Sequence, residues 1–154
     1  MKTPSLFPLL TALVAFLAGC AKPADHALPT TASGHAHVAP HGGTLVAIGE
    51  HTYNLELVRD DDAGKLTVYV LDGHAENFVR IAAPAIELSA IAGGERRTLT
   101  LRAVANPATG ETVGDTSQFE AQADWIKKAK TFPGEITGLD IRGNKFERVA
   151  YYLR

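Results

Sequence analysis

The chain reads as all-β: an immunoglobulin-like antiparallel sandwich or partly open barrel of seven to eight strands. After Gly43, apolar and polar residues alternate with a period of two, and turn residues interrupt the alternation about every ten positions. No segment carries the 3.6-residue apolar period of a long helix.

The elements follow in order along the chain. The segment 44–48 opens the series, and Tyr53, Leu55 and Leu57 share one face of the next strand, with Asn54 and Glu56 on the other. Asp60-Asp61-Asp62-Ala63-Gly64 turns the chain into a strand with Leu66, Val68 and Val70 inward and Thr67 and Tyr69 outward, closed by Asp72-Gly73. Ile86, Leu88 and Ala90 form another inward set, Gly93-Gly94 turns, and Leu99, Leu101 and Ala103 answer on the returning strand. A loop over 106–116, carrying Pro107, Gly110 and Gly114, leads to Phe119, Ala121 and Ala123. Residues 125–130 suit a short helical turn. Leu139 and Ile141, a Gly143-Asn144 turn, and Val149, Tyr151 and Leu153 close a third hairpin, so removing residues 151–154 is expected to destabilise the domain.

The first twenty residues are of another kind. Lys2 precedes an apolar run over 6–16, which is too short for the ~20 residues of a membrane-spanning helix and reads as an export signal. Leu17-Ala18-Gly19-Cys20 resembles the lipobox of bacterial lipoproteins, in which the cysteine is lipidated and becomes the mature N-terminus. The only cysteine of the chain stands at that position. The resemblance implies a domain anchored to the membrane through lipid at Cys20 and lying in the cell envelope. With Ala21 next, it implies the outer membrane, facing the periplasm, where the source has two membranes. The organisation is then a signal peptide at 1–19, lipidated Cys20 with a His-, Pro- and Ala-rich tether over 20–40, and one β domain over 41–154.

Composition narrows the chemistry. A lone cysteine consumed by lipid leaves neither a disulfide framework nor a thiolate cluster, so a bound metal would rest on nitrogen and oxygen ligands. Net charge is −2 with histidine neutral, and no basic stripe of the kind that binds nucleic acid is present.

Four of the six histidines, His26, His35, His37 and His41, crowd the tether and its junction with the domain, while His51 and His74 lie near the ends of early strands. His35-Ala36-His37 followed by His41 forms an H-x-H-x3-H pattern, and in extended chain His35 and His37 project to the same side. Imidazole suits Zn²⁺, Cu²⁺ or Ni²⁺, whereas Cu(I) prefers sulfur. The candidate ligands are His35, His37, His41, His51, His74 and Asp72, with Asp72 also able to orient a ligating ring. The competing reading is a soluble tether with incidental metal affinity. Asp60-Asp61-Asp62 lacks the spacing of a calcium loop and reads as a solvated turn.

The stretch from Pro40-His41-Gly42-Gly43 through Val58 resembles the start of the small N-terminal β domain of periplasmic adaptor subunits of heavy-metal efflux pumps. It also resembles small bacterial lipoproteins that carry this domain alone. The shared pattern is Pro-His-Gly-Gly, a short apolar strand, and a strand with an acid, here Glu56, between apolar residues. The resemblance implies a part in metal efflux or homeostasis with a metal-efflux component as partner. The chain has no coiled-coil hairpin or lipoyl domain, so it is not an adaptor itself. Two functions therefore stand side by side: a lipid-anchored metal-binding domain, or an envelope interaction module without metal that offers an edge strand or the Trp125, Phe132 and Pro133 region. No triad, nucleophile elbow or paired acids support an enzyme.

Overall fold

A computed structural model of the chain describes residues 37–154, which belong to the compact unit His35–Arg154. The export signal, Cys20, His26 and His35 lie outside the described residues.

The expected all-β class holds. Eight strands, β1 (Thr44–Ile48), β2 (Tyr53–Asp60), β3 (Lys65–Asp72), β4 (Ala85–Ala92), β5 (Glu95–Ala103), β6 (Gln118–Gln122), β7 (Phe132–Ile141) and β8 (Asn144–Leu153), pair antiparallel in one sheet. One five-residue helix, α1 (Asp124–Lys128), precedes β7. The sheet order β1-β2-β3-β6-β5-β4-β7-β8 contains a Greek key, because the β4-β5-β6 meander returns to lay β6 beside β3. The sheet curls until its two ends approach. Tyr53 meets Phe146 edge to face at 6.2 Å, and Asn144 Nδ2 donates to the Tyr53 hydroxyl at 3.2 Å. The end strands β1 and β8 are not paired with each other, so the molecule takes the nearly closed, barrel-like form.

The interior follows the alternation. Leu55, Leu57, Leu66, Val68, Val70, Ile86, Leu88, Leu99, Leu101 and Phe119 are buried in one apolar cluster. Ile126 of α1 joins it, and the Arg59 guanidinium donates to the carbonyls of Ile126, Ala129 and Lys130, capping the C-terminal end of that turn.

Three expectations are corrected. Asn54, Glu56 and Thr67, assigned to outward faces, are buried, because the N-terminal arm and the loops after β3 and β5 cover that side of β2, β3 and β6. β7 begins at Phe132, seven residues before Leu139, the first inward residue expected of that strand. Phe132 is fully buried against Trp125 and Tyr151, so it offers no surface to a partner.

Candidate functional site

Glu56 sits in mid-strand opposite Leu45 of β1 and Tyr69 of β3, on the face away from the main apolar cluster. Its side chain is wholly buried, and a buried carboxylate is tolerable only when hydrogen-bonded. The Pro40-His41-Gly42-Gly43 segment meets that need. The backbone N–H groups of His41 and Gly43 donate to Oε1 at 2.7 and 3.0 Å, and the His41 ring pairs through Nδ1 with Oε2 at 2.8 Å. An ionised carboxylate only accepts, so this hydrogen bond puts a proton on Nδ1 and leaves Nε2 as the nitrogen not engaged by Glu56. The glycines make this approach possible. Gly42 has φ of +72°, and a Cβ on Gly43 would stand 2.6 Å from the Leu57 carbonyl oxygen and 2.9 Å from Glu56 Cγ.

The His41 ring lies flat on Tyr69, with centroids 3.9 Å apart and planes 10° apart, and Phe78 tilts against both rings at 5.7 and 5.9 Å. Beside these rings opens a cavity of about 180 Å³, completed by Asn106, Thr109, Glu111, Ser117 and Gln118. Glu111 is the second buried carboxylate of this side. It accepts from the Ser117 N–H at 2.9 Å and hydroxyl at 2.6 Å through Oε1, and from the Thr109 hydroxyl at 2.9 Å through Oε2, while Arg80 Nε lies 3.8 Å away. Burial alone would raise its pKa, but the Ser117 and Thr109 hydrogen bonds and the Arg80 charge outweigh burial and hold the carboxyl below its ordinary range. Burial pushes the Tyr69 hydroxyl up, and the charges of Glu120 and Glu56 push it further against the opposing effect of Lys65.

The remaining candidate ligands separate. His37 and His74 come together, edge to face, with ring centroids 5.6 Å apart. Asp72 is engaged in its own turn, where Asn77 Nδ2 and the Glu76 N–H donate to it; the Asn77 bond comes first among the causes that lower its pKa. His51 is exposed at φ of +69° in the β1–β2 turn, where the residues 49–52 reverse the chain. Among the described residues, no group of three or more His, Cys, Asp or Glu side chains is gathered closely enough to hold a metal ion by itself. Of the six candidate ligands, His37 and His74 are the two imidazoles that the structure brings into contact among the described residues.

The aromatic stack and Glu111 escaped the sequence reading. Tyr69 was placed on a solvent face, and Glu111 lies in a glycine-rich loop whose acids look solvated until Ser117 folds back onto it. The available signal was Phe78, a large aromatic residue between polar neighbours outside any periodic segment. Comparison with known protein families, with curated proteins and with solved structures finds no match for this chain.

Proposed function

We infer that the protein is a lipid-anchored, non-catalytic domain of the cell envelope that binds a divalent transition metal, Zn²⁺, Cu²⁺ or Ni²⁺, at the base of its N-terminal arm, in metal efflux or homeostasis. The observation that carries this reading is the meeting of His37, from the arm, with His74, from the turn after β3. Two imidazoles offer nitrogen ligands of the kind these ions favour, and the sequence carries a further histidine, His35, two residues before His37. The lipid anchor rests on Leu17-Ala18-Gly19-Cys20, and the link to efflux rests on the Pro40-His41-Gly42-Gly43 resemblance.

Calorimetric titration of the full chain, in a non-ionic detergent, with each of the three ions tests the reading. Stoichiometric binding is expected to fall at least about tenfold in His37→Ala and in His74→Ala, and to be unchanged in His51→Ala, because losing one imidazole ligand removes a coordination bond that water replaces poorly. Acidification weakens binding, since protons compete for the ring nitrogens. Equal losses from all three variants, or none, would reject the site.

The second reading, an interaction module without metal, is favoured by the open seam. Among the described residues, β1 and β8 each keep an edge with no strand paired to it, and such an edge can take a further strand from a partner. Binding of an envelope protein that persists in chelator and is lost when the β1 edge is blocked by proline would support it over the metal.

A further inference from the structure

We propose that the cavity beside Tyr69 and Phe78 is a binding site for a small organic ammonium ion, held by aromatic rings on one side and the Glu111 carboxylate on the other. This inference does not depend on the metal reading.

Phe78 is 46 % exposed, an unusual position for a phenylalanine held in place by an isolated bridge to Leu71 and by contact with two other rings. Its ring and that of Tyr69 contribute to the wall of the cavity. Aromatic faces attract cations through their quadrupole, most strongly where water is partly excluded. The volume, about 180 Å³, lies below the ~300–1,000 Å³ of drug-sized pockets and suits a head group rather than an extended ligand.

The charge around the cavity selects the sign of the ligand. Glu111, the carboxylate of the lining, shares Arg80 with Asp115, at 3.8 and 3.2 Å. Two carboxylates thus share one guanidinium at the Glu111 side of the cavity, which leaves that group with a net negative charge. Among the described residues Oε2 of Glu111 has a single donor, Thr109, so it can still accept from an ammonium N–H, whereas a quaternary ammonium meets it through charge alone. The other polar groups of the lining, from Asn106 and Gln118, can accept from an N–H but are not needed by a quaternary ammonium.

The test is NMR titration of the full chain, in a non-ionic detergent, with choline and with 3,3-dimethyl-1-butanol, its neutral isostere. Choline is expected to shift the ring resonances of Tyr69 and Phe78, and the isostere to bind at least about fivefold more weakly. Phe78→Leu keeps an apolar side chain but removes the ring, and is expected to weaken choline binding roughly 3- to 30-fold, as is Glu111→Gln. Because Phe78 is half exposed, Phe78→Leu is expected to leave the fold intact, and its amide spectrum checks this. N-acetyl-lysine methylamide forms a second arm: binding tighter than choline assigns the ammonium to a lysine side chain of a partner, and weaker binding assigns it to a small quaternary amine. Equal affinity for choline and its isostere, shifts confined to other residues, or unchanged affinity in Phe78→Leu would overturn the proposal.

Discussion

Glu111 shows how one buried carboxylate ties stability to pH. Its pKa in the folded chain lies below the ordinary value of 4.5, so the folded state holds fewer protons than the unfolded chain between the two values. The stability it contributes is therefore complete above about pH 4.5 and is lost as pH falls through the lower, folded-state value. Glu111→Gln is expected to cost about 1–3 kcal/mol at neutral pH, through weaker hydrogen bonds to Ser117 and Thr109. It should also flatten the acid limb, so that wild type and variant converge in urea melts once pH falls below the folded-state value; a constant gap between them would show that the charge is not what matters. Glu56, also buried, accepts its hydrogen bonds from the arm instead, and nothing in its neighbours along the sequence distinguishes it from a surface glutamate of an alternating strand. Its partner motif at 40–43 was legible as glycine geometry with a histidine ligand. The clasp between the two was not, because it joins residues fifteen positions apart through a hydrogen bond.

At the scale of elements, β1 and the arm before it behave as one unit fastened to β2. The ladder from Thr44↔Leu57 to Ile48↔Tyr53 holds the strand, and Glu56 holds the arm just ahead of it. Glu56→Gln weakens the charge-assisted hydrogen bonds to His41 and Gly43 and is expected to lower stability by about 1–3 kcal/mol. Amide exchange should accelerate at His41 and Gly43 while β4 and β5 keep their protection; uniform acceleration would mean that Glu56 supports the whole sheet. The three hairpins, β2–β3, β4–β5 and β7–β8, were legible because alternation and turn residues coincide. The first half of β7 was hidden by Pro133, Gly134 and Gly138. Pro133 pairs only with Tyr152 of β8 and lies beyond the β4 ladder, which begins at Gly134, so its missing N–H breaks no bond on that side. Gly134 is required there, since a Cβ would stand 2.0 Å from the Ser89 carbonyl oxygen and 2.2 Å from the Tyr151 hydroxyl, which donates to that carbonyl at 2.9 Å.

For the whole molecule, the seam between β1 and β8 is the weak line of the sheet, bridged by Tyr53, Phe146 and Asn144 rather than by a backbone ladder. Phe146→Ala removes the ring that packs on Tyr53 and lies against Gly49, and is expected to cost about 1–3 kcal/mol. Hydrogen exchange should rise in β1 and in the first residues of β8 and stay unchanged across β3, β6 and β5. Protection lost evenly around the sheet would instead make the seam an integral part of the barrel. The class and strand count could be read from the chain because they depend on local alternation. Closure could not, because it depends on the cumulative twist of eight strands and on contacts such as Tyr53 to Asn144, 91 positions apart.

The clasp at Glu56 also has a mechanical meaning. Tension applied through the chain ahead of the domain travels along the backbone and reaches His41 and Gly43 before it reaches Thr44, the first residue of the β1 ladder. Three hydrogen bonds to a carboxylate anchored in mid-strand then carry the load across β2 rather than letting it peel β1 from its edge one pair at a time. The strain relief thereby sits where the chain enters the domain, just ahead of the first ladder pair, Thr44↔Leu57.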